Sequence, residues 1–181
     1  MKVPVILFLL SLLGMAASRD QPDLFLLAVV STVASVVLLL LAAPKALVRR
    51  PKWAVIDGSN VMYWDGETPR IETVQAVVAR LIQQGFTPGV MFDANAGYLL
   101  EDRYLHDGAF AKRLGLSQDR VMVVPKGVQA DSYILKAARD MGAVIVTNDR
   151  FRDWAEEYPE VAQDGYLIKG GYRDGALWLE A

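Results

Sequence analysis

Five aspartates stand where carboxylates could gather around a divalent cation: Asp57, Asp93, Asp131, Asp149 and Asp153. Asp57 ends the apolar run Ala54–Ile56, and Asp93 follows Thr87–Phe92. Asp131 comes after Val121–Val124 and the exit loop Pro125-Lys126-Gly127. Asp149 follows Ala143–Val146, with Asp153 one helical turn beyond it. Parallel strands joined by right-handed crossovers put all these exits on one edge, where open α/β sheets bind ligands. Carboxylates crowded there repel, and each is driven toward its neutral form. A hard cation such as Mg2+ or Mn2+ removes that conflict. It also activates water and offsets the charge that builds on a phosphodiester during in-line attack. Taken singly, each aspartate has a structural explanation. Asp57-Gly58 suits a turn, Asp131 and Asn148-Asp149 suit helix N-caps, Asp93 can hold the Asn95-Ala96-Gly97 turn, and Asp153 suits a solvated helix face. Their coincidence at successive strand exits is what favours a shared chemistry.

The elements that must position them follow from the spacing of apolar residues. Ala54–Ile56 reads as a buried strand and Asp57-Gly58-Ser59-Asn60 as the loop after it. Thr68-Pro69 suits an N-cap and first helical position, and Ile71, Val74, Val77, Val78, Leu81 and Ile82 recur at helical spacing up to Gly85. Residues 97–115 are expected to be helical, in two pieces broken near Asp107-Gly108. Asp131–Met141 reads as a helix stopped by Gly142, and Arg152–Glu157 as a short one. Tyr166–Ile168 and Leu177–Leu179 suggest a terminal pair of strands around the Gly170-Gly171 turn. Alternating strands and helices imply a three-layer α/β domain with a mostly parallel central sheet.

Of 181 residues, 53% are hydrophobic, and two stretches concentrate them: residues 3–18 and 24–43 carry no charge. The second is long enough as a helix to cross a hydrocarbon core of about 30 Å. The first, Val3–Ala17, suits a signal peptide or the first arm of a helical hairpin. Lys45, Arg49, Arg50 and Lys52 cluster after the second segment, which by the positive-inside rule puts the C-terminal domain on the cytoplasmic side of an integral membrane protein. The expected organisation is a membrane anchor over 1–44, a basic juxtamembrane linker over 45–52 and an α/β domain over 53–181. That domain is acidic, with 14 Lys and Arg against 19 Asp and Glu from residue 51 onward. The absence of Cys and the single His exclude a disulfide framework, a zinc finger, a thiol nucleophile and a multi-histidine metal site. Neither a Gly-x-Ser-x-Gly elbow nor a P-loop is present, so serine hydrolase and P-loop readings fall away.

Val55-Ile56-Asp57-Gly58-Ser59-Asn60-Val61, Ala130-Asp131-Ser132-Tyr133-Ile134 and Val146-Thr147-Asn148-Asp149-Arg150-Phe151-Arg152-Asp153 together resemble the NYN branch of the PIN-like nucleases. Within it they are most similar to the Regnase-like ribonuclease domain, over roughly residues 52–180. The resemblance implies a PIN-like Rossmannoid fold and Mg2+-dependent (or Mn2+-dependent) endonucleolytic cleavage of RNA. It assigns Asp57 as the first-strand metal ligand with Asn60 supporting it. Asp131 becomes the acid opening the central helix, and Asp149 and Asp153 the acids of the Asn-Asp-x-x-x-Asp segment. Ser59, Asn148 and Asp93 complete the supporting set. Regnase-like proteins carry paired aspartates opening the central helix, whereas Ala130 precedes Asp131 here. The CCCH zinc finger of that family is also missing.

Candidate phosphate contacts are Lys126 and Arg150, beside acid-bearing strand exits, then Arg103, Lys112, Arg113 and Arg152. An acidic domain implies weak, salt-sensitive binding. Tyr63, Trp64 and Tyr98 could stack on unpaired bases, and His106 belongs to a polar surface stretch. The function this implies is a membrane-tethered endoribonuclease acting on single-stranded or loop RNA, leaving 5′-phosphate and 3′-hydroxyl ends. Its partners are RNA, the lipid bilayer and, through the membrane helices, a second copy. A non-enzymatic RNA-binding scaffold with a decayed site is the alternative. A von Willebrand A-like adhesion module ranks last, because its Asp-x-Ser-x-Ser motif meets Val61.

Overall fold

The computed structural model describes residues 2–47 and 51–180, and the chain divides between Arg50 and Pro51 into two compact units. The first holds two helices, α1 (Lys2–Ala17) and α2 (Pro22–Leu47). They pack through small residues: Ser11, Ala28 and Ser35 are buried, and a Cβ on Gly14 would touch that of Ala28 at 3.6 Å. Pro22–Leu41 is long and apolar enough to cross a membrane, with a mean hydropathy of 2.9. α2 does not stop at Pro44 as expected. A proline forfeits one hydrogen bond, and the Leu- and Ala-rich backbone around it carries the helix across. Lys45 is therefore helical, Lys52 opens a strand, and Arg49 and Arg50 lie outside the described residues.

The second unit is built on five parallel strands: β1 (Lys52–Asp57), β2 (Phe86–Phe92), β3 (Val121–Val123), β4 (Val144–Val146) and β5 (Leu167–Ile168). Their order is β3-β2-β1-β4-β5, so the winding reverses between β1 and β4. Side chains alternate between the two faces. Ala54, Ile56, Val90, Phe92 and Val146 enter one core, with helices α4 (Ile71–Gln83) and α6 (Asp107–Leu114) packed over it. Val55 and Ile145 enter the other, against Ile134, Leu135 and Ala138 of α7 (Ala130–Met141). This is the three-layer α/β architecture that the strand–helix alternation implies.

Several local expectations change. Gly58–Val61 is a short helix, α3, rather than a loop, because the Asp57 carboxylate caps it by accepting from the Asn60 N–H at 3.0 Å. α4 begins at Ile71, not at Pro69. The Arg70 N–H donates to the Met62 carbonyl at 2.9 Å and holds Arg70 extended, which delays the helix. The break in residues 97–115 lies at Asp102–His106, between α5 (Ala96–Glu101) and α6, where Leu105 turns into the core. The expected helix Arg152–Glu157 shrinks to a single 3-10 turn, Arg152–Trp154. The terminal strands do not pair with each other. Leu167–Ile168 extends the central sheet beside β4, and β6 (Gly170–Arg173) pairs antiparallel with β7 (Ala176–Leu179) through Asp174-Gly175. Gly170-Gly171 is strand because Asn148 and Leu179 engage Gly170 from either side.

Gly58 is a tight backbone position near the sheet's carboxyl edge. A Cβ there would meet the Phe92 ring within 2.5–2.8 Å, and Phe92 is fully buried and stacked on Phe110 at 4.0 Å between centroids. Gly58→Ala is expected to cost about 1–3 kcal/mol, the usual overpacking penalty. A chemical-denaturation midpoint equal to that of the parent would remove this account of Gly58.

Candidate active site

The reversal between β1 and β4 leaves a crevice at the carboxyl ends of the strands, and Asp57 sits at its floor. As the last residue of a central strand buried from Ala54 onward, its side chain has little water. One carboxylate oxygen accepts from the Asn60 N–H and the other from the Thr147 hydroxyl at 3.0 Å. Burial pushes its pKa from 3.8 up to about 6; the two hydrogen bonds pull down, and the charges of Asp131 and Asp93 push up. Asp131, half-buried in the first turn of α7, is raised as well. Desolvation leads there, the Asp149 charge follows, the Trp154 side chain opposes by hydrogen bonding, and Asp93 adds to the rise. Asp57 thus feels the charges of Asp131 and Asp93, and Asp131 those of Asp149 and Asp93.

The polar residues around them fix loops. The Thr147 hydroxyl donates to Asp57 and accepts from the Asp149 N–H at 3.1 Å, joining β1 to the exit of β4. The Asn60 side-chain oxygen accepts from the Asn148 N–H at 3.0 Å and from the Trp64 indole at 2.8 Å. Asn148 exchanges two bonds with Gly170, its amide donating to the carbonyl at 2.9 Å and its oxygen accepting from the N–H at 3.2 Å. Ser59 accepts from the Asp93 N–H at 2.8 Å, tying β2's exit to α3. Asp149 accepts from the Phe151 N–H at 2.8 Å, which holds Phe151 in a left-handed conformation (φ 45°) with its ring buried. Thr147 is the residue that sequence reasoning missed as part of the site. Its signal was a hydroxyl directly after a buried strand and before Asn-Asp.

Asp153 is exposed and lines an open depression of about 500 Å3 with Asn60, Asn148, Asp149, Arg150 and Arg152. Among the described residues, no three Asp, Glu or His side chains are grouped tightly enough to enclose an ion. The five aspartates are graded in burial, from buried Asp57 through half-buried Asp93 and Asp131 to exposed Asp149 and Asp153. The donors are hard carboxylate oxygens, and Asp57 and Asp131, raised first by burial and then by neighbouring carboxylates, are groups whose charged forms a divalent cation would favour.

The candidate phosphate contacts separate into two groups. Arg150 and Arg152 line the depression beside Asp149, and Lys126 lines a second cavity at the exits of β2 and β3. Arg103 and Arg113 are instead committed to Glu101. Arg103 donates to it at 2.6 and 3.0 Å and Arg113 at 2.6 and 2.7 Å, and both hold the Glu101 pKa below its usual value. Two nearby cations and one carboxylate pair locally, which a linear reading of charge does not show. Lys112 is exposed on α6. Of the aromatic residues, Trp64 is a structural donor to Asn60 rather than a free face, while Tyr63 and Tyr98 are exposed.

The family model for the Zc3h12a-like Ribonuclease NYN domain matches residues 50–166. The fold is similar to that of nuclear proteinaceous RNase P 2 (PRORP2) from Arabidopsis thaliana. One structure of it aligns with a TM-score of 0.55 and 20% identity, covering 70% of this chain and 29% of that one. Another aligns at 0.53 and 19%, covering 82% and 35%. The chain thus spans about a third of the length of those structures, and the likeness is one of fold. No curated protein matches. With well over half of its residues matched, and Asp57 and Asp149 at the exits of adjacent strands of a parallel five-stranded sheet, the chain belongs to the Zc3h12a-like ribonuclease NYN domain family.

Proposed function

We propose that this chain is a membrane-tethered endoribonuclease that hydrolyses phosphodiester bonds of single-stranded or loop RNA with the help of Mg2+ or Mn2+. The observation that carries the reading is Asp57: a buried carboxylate at a sheet switch point, driven up to about 6 by desolvation and by Asp131 and Asp93. Asp57, Asp131, Asp149 and Asp153 are the carboxylates from which the cation would draw one or two direct ligands, with Asp93 beside them. When bound, it supplies Lewis-acid activation of water and neutralises charge building at phosphorus. The protein's own part is orientation. Thr147 fixes the Asp57 carboxylate, Asn60 and Asn148 fix the loop bearing Asp149, and Arg150, Arg152 and Lys126 offer cationic contacts to RNA phosphates.

The membrane part of the proposal rests on Pro22–Leu41, with α1 as the other arm of a hairpin. Lys45, Arg49, Arg50 and Lys52 favour the cytoplasmic side for the nuclease domain. Paired membrane hairpins would also favour a homodimer. Buried Ala130, where a second acid could stand, favours the runner-up reading of an RNA-binding scaffold with little or no catalysis.

One assay separates the two. The full chain in detergent micelles is incubated with a 5′-labelled single-stranded RNA and either Mn2+, Mg2+ or EDTA. Cation-dependent products with 5′-phosphate and 3′-hydroxyl ends, lost in Asp149→Asn, are the expected result. RNA that binds but stays intact at every cation concentration would assign the scaffold role instead.

A further inference from the structure

A cavity of about 730 Å3 opens at the exits of β2 and β3, and none of the five candidate aspartates lines it. Asn95, Tyr98, Tyr104, His106, Gln118 and Lys126 line it. Its volume falls in the range of about 300–1,000 Å3 common to small-molecule sites. The two tyrosines are 53% and 56% exposed, so neither is spent on either core. Aromatic rings left this open on a surface have their faces available for stacking.

They are also held in place. A Cβ on Gly97 would meet the Arg103 carbonyl and the Leu105 N–H nitrogen at 2.6 Å, so the segment after α5 lies flat against that helix's first turn. Asp102 takes a left-handed conformation (φ 53°) to start this reversal. Leu105 is buried, and in an extended segment its neighbours Tyr104 and His106 then point outward. The Asp107 carboxylate accepts from the Val123 N–H at 2.9 Å and locks the start of α6 to the edge strand. Tyr98 and Tyr104 therefore stand on a fixed frame, which lowers the ordering cost of binding.

From this cavity we infer that the protein binds one unpaired nucleobase of its RNA beside the cleavage site. The base stacks on Tyr98 and Tyr104, its edge faces the Asn95 and Gln118 amides, and its phosphate meets Lys126. The RNA in this statement rests on the nuclease reading, but the binding does not require cleavage. Amides offer both donor and acceptor to a base edge, tyrosine faces accept any base, and a lysine supplies a point charge for phosphate. Asp93, next to Ala94 and Asn95 of the cavity wall, links it directly to the acids. A base already stacked and paired inside a helix cannot enter, so the cavity selects single strands and loops.

The test measures binding of a fluorescein-labelled adenosine octaribonucleotide to the full chain in micelles by anisotropy, with EDTA present. Tyr98→Ala and Tyr104→Ala should each weaken Kd by about 5- to 100-fold, the range of single-base stacking. Tyr98→Phe and Tyr104→Phe should restore binding to within about twofold. Lys126→Ala should reduce the slope of log Kd against log salt by about 0.7, the loss of one phosphate contact. Both alanine variants binding like the parent would overturn the inference, even if the parent cleaves RNA. The converse, alanine losses with no cleavage under any cation, would keep the base site and remove the nuclease reading. A parent that does not bind the octamer would overturn the base site outright.

Discussion

Asp57→Asn is expected to lower RNA cleavage by at least about 10²-fold while making the cation-free domain more stable. The activity loss follows from removing the most buried carboxylate of the site. The stability gain follows from the sign of its pKa shift. Asp57 is raised from 3.8 to about 6, so the folded chain holds its proton over a pH window in which the unfolded chain has released it. Stability from this group therefore falls as pH rises from about 4 to 6 and stays low above that, by about 3 kcal/mol in all. Asparagine carries no such charge, and it can still accept from the Asn60 N–H. The difference in melting temperature between variant and parent in EDTA should open across pH 4–6, reach several degrees and then level off. A variant that is less stable than the parent at pH 7.5 would show that the Asp57 charge is compensated in the fold. A variant that cleaves at the parental rate would remove Asp57 from the chemistry.

Gly170→Ala carries the second large effect, and it acts from outside the residues matched by the family model. A Cβ at Gly170 would press on the Trp64 ring, and it would lie 2.7 Å from Leu179 Cδ2 and 2.8 Å from the Trp178 carbonyl. The cost is about 1–3 kcal/mol of overpacking. Relief by moving β6 would break the paired bonds to Asn148, whose own N–H is held by Asn60. Asn148 neighbours Asp149, so a shift near 1 Å there is expected to lower cleavage by about 10²-fold. Thermal denaturation and cleavage should fall together. Parental values in both would show that the β6–β7 hairpin is not coupled to the site.

The sequence was most informative where a pattern is local. A fully apolar run ending in Asp57, a helical period from Ile71 and glycine after Met141 each reflect a backbone requirement that neighbours along the chain satisfy, and β1, α4 and α7 are where those patterns put them. The candidate acids were legible for the same reason, since strand exits are marked by the polar residue that ends an apolar run. What was not legible depended on partners far along the chain. The Thr147 hydroxyl serves Asp57 from 90 residues away, and Arg113 reaches Glu101 across a loop reversal. A glycine pair ordinarily suggests a turn, yet Gly170-Gly171 is strand. Here Trp64 and Leu179 leave no room for a side chain at Gly170, and Asn148 supplies the bonds. Asp153 is legible as a motif position, and the fold leaves it exposed beside Asp149.

The sheet's two flanks are stubs: β3 has three residues and β5 only two. Each offers a neighbouring polypeptide too few free amide and carbonyl groups to nucleate intermolecular strand addition. Crowded copies of the domain are thus protected against fibril-like polymerisation by short borders, and Lys169 after β5 and Pro125-Lys126 beyond β3 add charge and a missing donor there.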